Sequence, residues 1–353
     1  MSSAGLARFD ALTSWRADWA GLRVAIVGLG ASGFAAADTL AELGAQVSVW
    51  LAAPDPERAR VLDVIGVDAR FGEDATAILP DMMPELVLIA VDGLLEHRNV
   101  IGEVAEWANT AGLRVWSTIE LAWRVRDKVR SADWITITTS DAAARGLRPS
   151  RTAELAEAML VAGGQRALCT TEQYGVLDAV RDPVGFDALM VSLHPAELAL
   201  LPRSGPGALH PIASTCLESG DAESTSERSN LDASLGRIYE NTVIACVFNR
   251  ADAGTMRMVE DADVHEGARA IGFGLSAPGP SDFGVVDGIL CDRAFLDDRR
   301  SQALELVTLD ELAPGGLSEP ASIAEILAAS ALARATGVDV PSVHSVLINW
   351  APG

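Results

Sequence analysis

The sequence predicts an α/β protein built on parallel sheets, and three stretches carry that prediction. Leu22 to Trp50, LRVAIVGLGASGFAAADTLAELGAQVSVW, runs from an apolar strand through a glycine turn and a helix into a second apolar strand. Short apolar strands recur at Leu86 to Ala90 (LVLIA) and Arg114 to Trp116 (RVW), with a helical stretch around His97 to Ala111 between them. Residues 134–164, WITITTSDAAARGLRPSRTAELAEAMLVAGG, start the pattern again: an apolar strand, a loop and a helix. Strands that alternate with helices in this way are joined by crossovers, which is the signature of a parallel sheet. A chain of 353 residues is long enough for two such domains.

In the first of these units Val24 to Val27 read as a buried strand, Ala35 to Leu43 as the helix, Gly44 as its cap and Val47 to Trp50 as the next strand. Gly28, Gly30 and Gly33 form G-x-G-x-x-G between strand and helix. Such glycines permit a tight turn and let a backbone approach a diphosphate at the helix N-terminus, as in a Rossmann-like domain. The turn points to a dinucleotide or a nucleotide sugar, or to a glycine turn kept only for packing. A redox NAD site wants an acidic residue ending the second strand, and Trp50-Leu51 stand there instead. Ile119 to Val125 read as a short helix. The expected organisation is a lead over 1–20, a Rossmann-like domain over 21–126, a charged linker over 127–133 and a second α/β domain over 134–353.

The second unit opens with the frame of a phosphate-binding strand–loop–helix. A working loop of that kind places Gly at the turn, Lys on the β/γ-phosphates and Ser or Thr on Mg²⁺. Thr139 to Thr152 carry one Gly, no Lys, and Pro149, which removes an amide donor near the helix entrance. Further on, Asp287-Gly288 between apolar pairs mark a β-hairpin, and Ile323 to Ala335 keep the periodicity of a core helix. The polar run Glu218 to Asn230 reads as a mobile loop.

Composition narrows the partners. A formal charge of −22 excludes a phosphate-backbone partner, which wants clustered Lys and Arg, and also an anionic membrane surface. The four cysteines, Cys169, Cys216, Cys246 and Cys291, form no CxxC pair and suggest reduced, buried thiols. No apolar run approaches the roughly 18 residues that span a bilayer, and none at the N-terminus resembles a signal peptide. A cytoplasmic location is expected.

The GLGASG unit, the IELAW segment before the linker and the strand–loop–helix ending in AMLVAGG together resemble the D-glutamate-adding Mur ligases. ACVFNRAD (Ala245 to Asp252), VHEGARAIGF (Val264 to Phe273), GVVDGILCDRAF (Gly284 to Phe295) and ILAASALARATGV (Ile326 to Val338) extend the resemblance, closest to actinobacterial members, over nearly all of residues 20–350. The resemblance implies a first domain that binds the UDP-sugar peptide, a central domain that binds ATP and Mg²⁺, and a third domain that binds the incoming amino acid. The active members form an acyl phosphate that the amine of D-glutamate attacks. The chain ends at NWAPG, near where the central domain would finish, so the third domain is expected to be absent.

Several positions depart from the pattern that the resemblance implies. The GTNGKTT-like loop falls within Thr139 to Thr152, with Arg148 and Pro149 in it. The Mg²⁺-binding Glu of a VELSSFQL-like strand falls at Ser192, and the His of a NIAEDHLDWH-like segment at Cys216. The carbamylated Lys falls at Leu235, the adenine-reading HNxxN on Ala321, Ser322 and Glu325, and an acidic uracil contact at Leu51. The expectation is a Mur-ligase-like pseudoenzyme of the peptidoglycan pathway, needing no cofactor, that retains a binding or scaffolding role. Its partner would be UDP-N-acetylmuramoyl-L-alanine or another Mur protein, with no nucleic acid and no membrane insertion. The alternatives are an active ligase with a rebuilt site or a separately encoded third domain, and a relic without function. A surviving ligand site is expected at Gly28, Gly30, Ala31, Ser32 and Gly33. Arg145, Arg148 and Arg151 read as an anion site or as solvated loop charges, His194 as a base or metal ligand or as a structural or exposed residue, and Cys216 as a nucleophile only if a base faces it.

Overall fold

The computed structural model describes residues 3–95, 97–140, 150–171, 173–220 and 225–350. They form two compact units: Met1–Ser131 with Thr171–Gly185 and Ala199–Leu209, and Ala132–Thr170 with Phe186–Leu198 and His210–Gly353. The chain therefore returns to the first unit twice after residue 133.

The first unit holds a five-stranded parallel sheet of β1 (Arg23–Val27), β2 (Gln46–Leu51), β3 (Asp68–Phe71), β4 (Leu86–Ile89) and β5 (Arg114–Ser117). Their order is β3-β2-β1-β4-β5. The strand order reverses beside β1, which pairs in parallel with both β2 and β4. Val24 to Val27 and all of β4 are buried on both faces, which explains why these strands read as unbroken apolar runs. Each buried Val, Leu or Ile among them contributes roughly 1.5–3 kcal/mol of burial. Helix Ala31–Glu42 buries Leu40 together with Ala36 and Ala37, the two alanines small enough for close approach to the sheet. Gly44 ends it in the left-handed region at φ 82°, donating to Ala41 O at 3.0 Å.

Residues of the expected lead pack into this unit. Phe9, Leu12 and Trp19 are buried, and the Phe9 and Trp19 rings meet Trp116 edge-on at 6.0 and 6.2 Å. The guanidinium of Arg124 donates to Phe9 O at 3.0 Å and Leu12 O at 2.9 Å, and its ion pair with Glu120 closes at 2.8 Å. The expected linker is also held, since Asp127 accepts from Ser14 Oγ at 2.5 Å and from Trp15 N at 2.6 Å.

The second unit is a nine-stranded mixed sheet in the order β14-β13-β12-β11-β10-β9-β6-β8-β7. Its strands are β6 (Asp133–Thr138), β7 (Ala167–Cys169), β8 (Ala188–Ser192), β9 (Ala213–Cys216), β10 (Ala245–Asn249), β11 (Arg269–Phe273), β12 (Asp282–Val286), β13 (Ile289–Asp292) and β14 (Leu304–Thr308). Pairing is parallel from β7 to β12 and antiparallel across β12, β13 and β14. Asp287 and Gly288, at φ 48° and 78°, make the tight hairpin that their sequence predicts. Helix Pro320–Ala335 buries Ile326, Leu327, Ala331 and Leu332 in the same core as Leu155 and Met159 of helix Arg151–Ala162.

One expectation is corrected here. Residues 225–236, within or just beyond the polar run read as a mobile loop, form helix Thr225–Gly236. Its apolar content is one stripe, Leu231 and Leu235 continued by Ile238, and Leu235 is fully buried. Among the described residues, no helix is long and apolar enough to cross a membrane.

Candidate functional site

The glycine turn of the first unit lies at the C-terminal end of β1, at the point where the strand order reverses. In open α/β sheets that is where ligands bind. Gly28 has φ 94°, and a Cβ there would stand 2.6 Å from Ala90 O, so only glycine fits. A Cβ on Gly33 would meet Gly28 O at 2.4 Å, which is the close helix–turn contact the motif requires. Gly30 caps helix Ala31–Glu42 without a side chain, leaving first-turn amides for another acceptor. The structure thus brings Gly28, Gly30, Ala31, Ser32 and Gly33 together in one turn.

The acceptor is Asp92, in the 3₁₀ turn Val91–Leu94 that follows β4. Its Oδ2 accepts from Ser32 N at 2.8 Å and its Oδ1 from Ser32 Oγ at 2.5 Å; Gly93 N also donates to Oδ1 at 2.9 Å. Sequence reasoning passed over Asp92, because nothing in VDGLL marks it as the neighbour of a turn 60 residues earlier. Beside the turn opens a cavity of about 620 Å³, lined by Leu29, Gly30, Phe34, Arg58, Val61 and Arg181 among others. Leu51, the expected uracil position, is buried at the end of β2.

In the second unit, Arg145, Arg148 and Pro149 of the expected loop lie outside the described residues. At the helix entrance, Ser150 Oγ accepts from Ala153 N at 3.2 Å, so one first-turn amide is already capped by the chain itself. Thr152 is fully buried. Ser192 ends β8, and its Oγ has no hydrogen-bond partner among the described residues. Leu235 is an aliphatic side chain with 0 % exposure, unable to carry a carbamate to a metal. Arg151 Nη1 donates to Ser322 Oγ at 2.9 Å and pairs with Glu325 at 3.1 Å, tying two of the expected adenine-reading positions to a cation. His194 serves its own turn, with Ala196 N donating to its Nδ1 at 3.1 Å.

Cys216 is buried at the end of β9 and its Sγ donates to Glu218 O at 3.3 Å. Burial pushes its thiol up to about 12, so it is not a thiolate near neutrality. Native protein treated with iodoacetamide at about pH 8 should leave Cys216 unmodified, while the denatured chain should react at all four cysteines. Alkylation of Cys216 in the native protein, located by peptide mass, would contradict this.

Between these residues the second unit contains a cavity of about 610 Å³, lined by Thr139, Glu218, Asp232, Asp252, Arg257 and Glu325 among others. Burial alone would raise the Asp252 carboxyl, but donors from Ser219, Gly254 and Thr255 hold it below the usual carboxylate range. Four carboxylates thus line a space of nucleotide size, against Arg257 and the Arg151 paired with Glu325. Among the described residues, no group of three or more His, Cys, Asp or Glu side chains is arranged to hold a metal ion.

Comparison with known proteins gives the family and the fold. The chain is 48% identical over 354 residues to a UDP-N-acetylmuramoylalanine--D-glutamate ligase of Leifsonia xyli subsp. xyli, covering 96% of this chain and 66% of the relative. It is 39% identical over 347 residues to the ligase of the same name from Tropheryma whipplei, covering 97% and 69%. A third, from Streptomyces avermitilis, is 37% identical over 343 residues, covering 95% and 68%. The chain spans about two thirds of the length of the curated relatives it matches. Among solved structures, the UDP-N-acetylmuramate:L-alanyl-gamma-D-glutamyl-meso-diaminopimelate ligase from Neisseria meningitides aligns with a TM-score of 0.54 at 17% identity, over 95% of this chain and 99% of that one. A murein peptide ligase from Psychrobacter arcticus aligns at 0.53 and 13% identity, over 94% and 68%. These two likenesses establish the α/β fold. No protein-family model matches the chain. With relatives of 37–39% identity spanned over more than two thirds of their length, the chain belongs to the UDP-N-acetylmuramoylalanine--D-glutamate ligase family.

Proposed function

We propose that this chain is a non-catalytic member of its family, acting in the cytoplasmic pathway of peptidoglycan precursors through binding rather than ligation. The observation that carries this reading is the charge of the second unit's cavity. A space of about 610 Å³ that would have to hold a triphosphate is lined by Glu218, Asp232, Asp252 and Glu325, with Arg257 in the lining and Arg151 paired to Glu325 as the opposing cations. Thr139 to Thr152 offer no Lys to offset them, Ser192 is not an anionic metal ligand, and Leu235 is buried carbon. The first unit retains its glycine turn at Gly28, Gly30, Ala31, Ser32 and Gly33, which is where a UDP-sugar peptide, UDP-N-acetylmuramoyl-L-alanine, would bind. Another protein of the same pathway is the other candidate partner.

A second reading, an ATP-dependent ligase whose site is rebuilt or completed by another chain, draws on the 48% identity to a protein named as that ligase. Phosphate release separates the two. With ATP, Mg²⁺, UDP-N-acetylmuramoyl-L-alanine and D-glutamate present, the non-catalytic reading expects no release above the protein-free control. Release that needs all of these substrates would establish the ligase instead.

A further inference from the structure

We infer that Asp92 sets what the first unit's crevice accepts, because its carboxylate stands where a ligand phosphate would meet the glycine turn. The inference rests on the reading of that turn as the UDP-sugar element and is independent of whether the second unit catalyses anything.

The donors that a Rossmann-like turn offers to a diphosphate are the first amides of its helix. In this chain the Ser32 amide and hydroxyl both already donate to Asp92, at 2.8 and 2.5 Å. The fit extends beyond two hydrogen bonds. A Cβ on Gly30 would stand 2.3 Å from Asp92 Oδ2, and one on Gly93 would stand 2.5 Å from Gly30 N, so the turn and the 3₁₀ segment lie against each other with glycine on both sides. Leu94 fills the space over Gly28, its Cγ 2.9 Å from where a Cβ would be. Because β4 pairs directly with β1, the segment after β4 is delivered to the reversal point of the sheet.

The Ser32 amide in the first turn of the helix is thus already taken by an anion belonging to the chain. A nucleoside diphosphate must either displace that carboxylate or sit beside it, and like charges a few ångströms apart repel strongly in a partly desolvated crevice. Neutral parts of a ligand meet no such barrier: the adjoining cavity, with Leu29, Phe34 and Val61 in its wall, is open to them.

Calorimetric titration of the whole chain with UDP tests this. Asp92→Ser, which removes the charge and keeps a hydroxyl, should bind UDP at least about tenfold more tightly than the native chain. Asp92→Asn, which keeps the volume and the acceptor, should gain less and should melt like the native chain, so it decides the matter if the serine variant folds poorly. Adding Ser32→Glu to Asp92→Ser should abolish the gain by returning a carboxylate to the turn. Well-folded Asp92 variants that show no gain in UDP affinity would overturn the inference. If native and variant chains bound UDP equally and Ser32→Glu removed binding from both, the turn would remain the site and only the role of Asp92 would fall.

Discussion

Arg124→Ala is expected to destabilise the first unit by about 3–5 kcal/mol, the usual cost of leaving one member of a buried ion pair uncompensated. Arg124 and Glu120 are 5% and 2% exposed, and their ion pair closes at 2.8 Å. The same guanidinium lies 4.1 Å from the Trp116 ring centroid and ties the carbonyls of Phe9 and Leu12. Its removal therefore frees the N-terminal segment as well as stranding a carboxylate. Gly207 closes the network from another side: a Cβ there would stand 2.1 Å from Glu120 Oε1. Chemical denaturation with hydrogen exchange at residues 9–12 measures both effects. A loss below about 1 kcal/mol, with protection of those residues intact, would contradict the assignment.

The pair also makes stability depend on pH in a direction that can be worked out. Burial pushes the Glu120 carboxyl up, to about 7 from an ordinary 4.5, against the pull of Arg124. Below about 4.5 the group is protonated in both folded and unfolded chains, and the favourable state is fully present. Between 4.5 and about 7 the folded chain keeps a proton that the unfolded chain releases, so stability falls as pH rises through that window. The fall attributable to this group is on the order of 3 kcal/mol. Glu120→Gln should flatten that slope, and the Arg124→Ala deficit should be larger at about pH 8 than at about pH 5.

Those features explain what could and could not be read from the sequence. The strand–turn–helix at Leu22 to Trp50 was legible because Gly28 and Gly33 are demanded by local backbone geometry, a left-handed φ and a carbonyl at 2.4 Å. The Asp287-Gly288 hairpin was legible for the same reason. Helix Thr225–Gly236 was not, because its polar composition matches a loop and only one narrow stripe ending in Leu235 is buried. Asp92 was invisible because its significance depends on β4 pairing beside β1, a relation between segments about 60 residues apart. Glu120 and Arg124 stand at helical i, i+4 spacing, which is readable, but their burial comes from Phe9, Leu12 and Gly207, which are distant in sequence. The absence of a lysine from Thr139 to Thr152 was legible directly as a missing residue type. The carboxylate-lined cavity required the fold, since Glu218, Asp232, Asp252 and Glu325 converge from four separate stretches.

The second large effect expected is on ATP. A charge-assisted hydrogen bond is worth roughly 1.5–3 kcal/mol. Without the contacts of a loop lysine, an anionic metal ligand and a bridging carbamate, binding should weaken by at least about three orders of magnitude. The carboxylates around the cavity act in the same direction by repelling the triphosphate. This consequence depends on the second unit alone, so it does not require whatever completes the longer relatives. Isothermal titration of the chain with ATP in the presence of Mg²⁺ is the most direct test: the account predicts no saturable binding up to millimolar nucleotide, and a micromolar dissociation constant that requires Mg²⁺ would contradict it.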